Sequence, residues 1–404
     1  MSTSHLGPTT EKERYIILDA LRGLALAGIV LANLPEFALW TFLSPAERAA
    51  LPHSSADGVV RFAQYMFIDG KFYTIFSLLF GLGFSLIIAR HGKRLFCRRM
   101  AILALIGLCH MMLLWSGDIL LLYATGGLLL TLFVKCSDKA LLTWAAVLIT
   151  VPIGLVALTE YAGIDFSAPF YRAWWKQAAA EGITEENFAT WLRDAHSYPQ
   201  MFAFLKQGAV ERMWEFVEGH RLLKVLGLFI LGYLAGKHQL YACLEELPLK
   251  KCCVWSYVLG IPISALYAWS ATHSHPWSDT MNALLYTLSV TTLVLAYIST
   301  LCLLHRRGRC QRLMKWVAAP GRMALTNYIG HSVAGIIIFY GFGFGLGASM
   351  NLALVELTAL GIFILQVVLS RAWLQGFRFG PLEWLWRMLT YGRYFPIRRG
   401  KESE

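Results

Sequence analysis

The chain has 404 residues, 57% of them hydrophobic and only 15% charged, and its mean hydropathy is +0.52. Soluble domains carry nearer a quarter charged residues, so an ordinary soluble fold is excluded. The net charge of +11 does not point to nucleic acid, because Lys and Arg stand in short clusters between apolar runs rather than on one patch.

Apolar runs of about 18 to 25 residues recur from end to end, each long enough to cross a hydrocarbon core of roughly 30 Å. Backbone amides in lipid must pair within the protein, and runs this long and uniform fit helices rather than barrel strands. The expected fold is therefore all-α: a polytopic integral membrane helix bundle of about ten transmembrane helices. The spans fall near 16–43, 70–90, 101–116, 118–134, 141–161, 222–236, 253–271, 280–304, 323–340 and 353–375. They form a single transmembrane domain over 1–404, with an outer-face amphipathic loop, 162–221, inserted in it. The segment before the first run is polar and of mixed charge (Glu11, Lys12, Glu13, Arg14), and that run is too long for a signal-peptide core, so it is expected to remain as a span.

Ionisable groups in a bilayer cost a few kcal/mol or more, so each needs a reason. In the first span Asp19 and Arg22 stand three apart on one face, where they can neutralise each other or present Arg22 to an anionic cosubstrate. The second span opens on Lys71. In the hairpin of spans three and four, His110 lies about 16 Å along a helix from Arg99, near the midplane. Ser116-Gly117 reads as a turn, which puts Asp118 close to the outer boundary. On straight helices Asp118 stands about 9 Å above His110, so no direct bond is expected without bending or a bridging water, and Lys71 lies at a depth to pair with Asp118. The loop at 162–221 carries Trp174, Trp175, Trp191 and Trp214, which suggest helices lying on the membrane surface as a connector or lid. In the ninth span Asn327 and His331 share a face, with Tyr328 and Ser332 one position on. The glycines at 341, 343, 345 and 347 follow a helix and read as a close-packed turn, not a phosphate loop.

With the N-terminus inside, about 25 Lys and Arg fall in inner segments and far fewer in outer ones, an orientation that puts both termini in the cytoplasm. Cys97, Cys136, Cys243, Cys252, Cys253, Cys302 and Cys310 lie in or beside inner segments and Cys109 within a span, as reduced structural thiols do. No metal-ligand spacing is present.

Five stretches resemble the YeiB family of bacterial inner-membrane proteins, also called domain of unknown function 418. They are LDALRGLALAGIVLAN, GKFYTIFSLLFGLGF, HMMLLWSGDILLLYATGGLLL, GRMALTNY and GPLEWLWRMLTYG, in the family's order over nearly the whole chain. One departure is His331, where Gln is frequent in the family. The family in turn looks like a distant branch of the transmembrane acyltransferases, which include the lysosomal heparan-glucosaminide acetyltransferase. The resemblance implies a multi-pass protein of the bacterial inner membrane that passes an acyl group from cytosolic acyl-CoA, such as acetyl-CoA, to an unidentified acceptor. The reactive histidine of the lysosomal enzyme precedes its second span, and His53 is the corresponding candidate here.

On that reading His110 is the general base, ranked above His53, with Lys71 and Asp118 ordering the outer vestibule. Asn327 and Tyr328 are polar donors near the thioester. Arg22, Arg98, Arg99 and Arg322 attract the CoA phosphates. No tightly bound cofactor and no metal is expected; the partners are membrane lipids, acyl-CoA and the acceptor, and homodimerisation is left open. The alternative is a transporter or lipid-handling protein without covalent chemistry, in which the midplane histidines relay protons. A partner-binding scaffold is a third reading.

Overall fold

The computed structural model describes residues 15–399, so Lys12, Arg14 and Lys401 of the charge pattern lie outside it. Among the described residues the regular structure is helical, apart from one isolated antiparallel bridge between Phe377 and Arg398. In chain order the helices are α1 (Ile16–Phe37), α2 (Pro45–Ala50), α3 (Asp57–Phe67), α4 (Lys71–Leu113), α5 (Leu120–Leu130) and α6 (Asp138–Ala162). Next come α7 (Ala168–Ala180), α8 (Glu185–Phe188), α9 (Trp191–Asp194), α10 (Tyr198–Glu218), α11 (Arg221–Lys237) and α12 (Leu249–Thr272). The last five are α13 (Asp279–Arg306), α14 (Gln311–Arg322), α15 (Ala324–Phe339), α16 (Leu352–Gly376) and α17 (Pro381–Tyr391).

Among the described residues, six helical segments are long and apolar enough to cross a membrane: α1, the stretch Ser54–Leu113, α6, α12, α13 and α16. The pair α10–α11, bent by 64°, makes a seventh if it counts as one broken span, while Leu120–Phe133 and α15 are apolar but shorter. All ten expected runs are largely helical, with two differences. The first stops at Phe37, since Pro35 ends the turn and Leu39 takes a left-handed conformation (φ 60°). The second and third share α4, broken at Gly92, whose φ of 72° is left-handed and needs a glycine.

Local sequence explains the helix ends. Ser137, Ser278 and Asn351 each accept a hydrogen bond from a backbone amide three residues on and start α6, α13 and α16. Gly163 and Gly392 end α6 and α17 in the left-handed conformation. Close packing then follows small residues. A side chain at Gly23 would collide with the Val317 carbonyl, and one at Gly321 with that of Asp19, so α1 and α14 meet backbone to backbone. That contact sets Arg322 beside Asp19 and Arg22.

The loop 162–221 differs from the surface-lying connector expected. Trp174 is buried; it stacks on Trp214, lies against Trp175 and Phe188, and donates a hydrogen bond to Gln207. Trp174, Phe188 and Phe204 turn inward because the helices α7–α10 can bury more apolar area against each other and the bundle than against a flat interface, while Phe166, Phe170, Tyr171 and Tyr198 stay exposed. Leu192, Met201, Phe204 and Leu205 join the main core.

Candidate functional site

A stripe at helical spacing on α1 (Leu18, Asp19, Arg22, Leu26, Ile29, Asn33 and Glu36), together with Tyr15 just before it, lines one cavity of about 710 Å³. At 1.5 Å per residue that stripe runs about 27 Å, close to the thickness of a hydrocarbon core. The opposite wall is α4, with Phe72, Phe76, Phe80 and Ile87 at the same periodicity.

The wall changes character along its length. At one end stand Arg22, Arg90, Arg99, Arg322 and Arg387, with Asp19 and Glu383 among them. Arg22 donates to Asp19 at 2.7 Å, so the self-neutralising pair forms and also faces the cavity. Arg99 lies 3.6 Å over the Trp386 ring, and Trp386 donates its indole N–H to the Arg99 carbonyl. The middle is apolar: Leu26, Phe76, Phe80, Phe84 and Leu103. The far end is polar again, with Glu36, Asp69, Arg212, Arg221, Lys224 and Tyr328.

α17 closes the basic end. Pro381 and Gly392 bound it, and Glu383 accepts hydrogen bonds from the Leu325 and Thr326 amides and the Thr326 hydroxyl, capping α15. Burial holds the Glu383 carboxyl above the ordinary carboxylate range despite those donors. Burial likewise lowers the Arg387 guanidinium, aided by the positive charge of Arg22.

His110 stands outside this cavity. It is 2% exposed and absent from the lining, and both ring nitrogens are engaged: Nδ1 with Asp118 Oδ1 at 2.9 Å, Nε2 with Ser332 Oγ at 3.0 Å. The direct His–Asp bond corrects the sequence expectation. Residues 114–119 do not continue the helix; the Leu114 and Trp115 amides both return to the His110 carbonyl, and the chain folds Asp118 back beside the last turn of α4. The estimate from straight helices fails at that reversal. Asp118 Oδ2 accepts the Leu121 amide, and Arg212 donates to the Gly117 and Asp118 carbonyls from α10.

Lys71 does not meet Asp118, a second correction. Its ammonium donates to the Tyr65 carbonyl at 2.8 Å and lies 5.3 Å over the Tyr267 ring, because Gly70 turns the chain in a left-handed step just before α4. His53 is exposed, left-handed (φ 56°) and not part of the cavity wall. Arg98 is exposed on the side of α4 away from the cavity, whereas Arg22, Arg99 and Arg322 line it. Asn327 donates to Ser370 and to the Pro320 and Met323 carbonyls, a buried knot behind the wall. Tyr328 alone of the expected far-end donors reaches the cavity, and its hydroxyl accepts the Ile119 amide. Neither ring nitrogen of His331, 1% exposed, has a partner among the described residues.

Three proteins match this chain over nearly its whole length. It is 31% identical to the uncharacterized protein YxaH of Bacillus subtilis (strain 168), over 98% of this chain and 99% of that protein. It is 30% identical to an uncharacterized 39.9 kDa protein in the amylase 3' region of Bacillus acidopullulyticus, over 99% of this chain and 100% of that one. It is also 30% identical to the uncharacterized protein YeiB of Escherichia coli (strain K12), over 94% and 96%. The chain belongs to the YeiB family. The domain description protein of unknown function (DUF418) matches residues 237–393 of this YeiB-family chain, from the end of α11 through α17. That segment supplies Arg322, Tyr328, Glu383 and Arg387, while α1 and α4 supply the facing wall.

The sequence reading passed over Arg387, Glu383, Glu36 and Lys224. Glu383 and Arg387 carried a visible signal: an i,i+4 acid–base pair on one face of a short helix bounded by Pro and Gly. Glu36, next to Pro35, falls inside the first expected span, 16–43, and was not singled out there.

Proposed function

We propose that this protein is a membrane-bound acyltransferase of the bacterial inner membrane. It takes an acyl group from cytosolic acyl-CoA and delivers it to an acceptor at or across the membrane, within a bundle of about ten spans whose termini face the cytosol. The observation that carries this reading is the gradient along the cavity, from arginine-rich through apolar to mixed polar, lined by a single face of α1. An acyl-CoA has the same profile: a polyphosphate head, a thin flexible arm and a reactive thioester at its tip. With the basic end toward the cytosol, Arg22, Arg99, Arg322 and Arg387 pair with the phosphates, and the arm runs past Phe76, Phe80 and Phe84. The thioester then reaches the far end, where Tyr328 and Arg212 offer donors to a developing oxyanion and Glu36 offers a carboxyl that can orient the acceptor. His110 acts there only through a movement of Tyr328, whose ring lies between it and the cavity.

Equilibrium binding of labelled acetyl-CoA to the purified protein tests the reading. Saturable binding is expected, and Arg22→Gln and Arg387→Gln should each weaken it about tenfold, the worth of one charge-assisted hydrogen bond. An absence of saturable binding, or affinity indifferent to both substitutions, sinks it.

A transporter without covalent chemistry is the second reading, favoured by the 64° break between α10 and α11 where Gly219, Arg221 and Lys224 face the cavity. Proton-driven solute flux in liposomes that needs no CoA would select it.

A further inference from the structure

We infer that Ser332, His110 and Asp118 form a nucleophilic centre closed off by Tyr328, and that Ser332 carries the acyl group between donor and acceptor; this rests on the acyl-transfer reading above. Ser332 Oγ lies 3.0 Å from His110 Nε2, and His110 Nδ1 lies 2.9 Å from Asp118 Oδ1. This is the relation of nucleophile, base and orienting acid that activates a hydroxyl. Asp118 is fixed by the Leu121 amide on its other oxygen, and Arg212 grips the two carbonyls at 117 and 118. With Nδ1 protonated toward Asp118, Nε2 accepts the Ser332 proton; the competing acceptor is the Tyr328 carbonyl at 3.3 Å.

All three residues are buried, and the partition from the cavity is thin. Tyr328 lines the cavity on one side, and its ring lies 5.2 Å from the His110 ring and 5.1 Å from that of His331 on the other. Its hydroxyl is held by a single amide, that of Ile119 at 3.2 Å. A rotation about its side-chain torsions trades that bond for access.

In the step that follows, Ser332 Oγ attacks the thioester carbonyl carbon while its proton passes to His110 Nε2. The carbon–sulfur bond breaks, and His110 returns the proton to the departing thiolate. An acceptor hydroxyl or amine then attacks the Ser332 ester and gives its proton to His110, which passes it to Ser332 Oγ as the ester bond breaks.

A fluorophosphonate bearing a long alkyl chain tests this without any CoA. The probe is incubated with the purified full chain and the modified residue mapped by mass spectrometry. Phosphonylation is expected on Ser332, to be lost in Ser332→Ala, slowed at least a hundredfold in His110→Gln, and accelerated about tenfold in Tyr328→Ala, with each variant eluting as wild type on size exclusion. No label on Ser332 in either wild type or Tyr328→Ala overturns the inference, as does label at Ser332 that is indifferent to His110→Gln. Label without acetyl-CoA binding removes the CoA reading alone; acetyl-CoA binding without label removes this centre alone.

Discussion

The basic end of the cavity and the pocket around His110 hold ionisable groups in opposite ways. At the basic end five arginines line the cavity wall, with Asp19 and Glu383 among them, so charged side chains border a void. Around His110 the arrangement is closed: imidazole, carboxylate and hydroxyl satisfy each other, and solvent reaches none of them. Charged side chains on the wall of a void are what a ligand meets, and a closed network is what holds a geometry until something opens it. The difference teaches that a polar residue in an apolar span marks a site only once its neighbours are known.

The largest expected effect falls on the closed side. Asp118→Ala strands the His110 Nδ1 and the Leu121 amide in a dry pocket, and loss of one partner from a buried pair costs about 3–5 kcal/mol. The thermal midpoint in detergent should drop by several degrees, whereas Arg387→Gln, at the open end, should barely move it. Equal midpoints for the two variants would erase the contrast between the regions.

A smaller effect is expected where the two kinds of environment meet, at Glu383. This carboxyl faces the basic end and also caps α15. Glu383→Ala should cost about 1–2 kcal/mol, the worth of a helix cap. Its pH dependence has a definite sign. Burial raises its pKa in the folded protein, so its proton is held more tightly folded than unfolded. The stabilising contribution is complete at low pH and is lost as pH rises through the raised value. Unfolding midpoints of wild type should therefore fall relative to Glu383→Gln as pH rises from the ordinary carboxylate range through the raised value. Parallel profiles would mean that the carboxyl is not held protonated.

The helical bundle was legible in the sequence because lipid leaves the backbone one way to pair and the apolar runs are long. Asp19 and Arg22 were legible because i,i+3 geometry is local. The His110–Asp118 bond was not, since it depends on a chain reversal at residues 114–119 that a constant rise per residue cannot represent. Lys71 was misplaced for the same reason: the Gly70 turn swings it toward Tyr65 and Tyr267. Ser332 entered the sequence reading only as a neighbour of His331. Its contact with His110 joins residues 222 apart, and no local spacing encodes that.

The smallest expected effect is at His53, and it separates resemblance from geometry. By likeness to the lysosomal enzyme this histidine is a candidate for the reactive group; here it is exposed, in a left-handed turn before α3, away from the cavity wall. The left-handed conformation costs a residue with a Cβ roughly 1 kcal/mol, which glycine escapes while losing more entropy on folding. The two terms nearly cancel, so His53→Gly should leave the thermal midpoint within about 2 °C of wild type. Acetyl-CoA binding and phosphonylation of Ser332 should both be unchanged. A loss of turnover in His53→Gly with binding intact would mean that the loop between α1 and α3 folds over the far end of the cavity during the reaction, and the base would then have to be sought there rather than behind Tyr328.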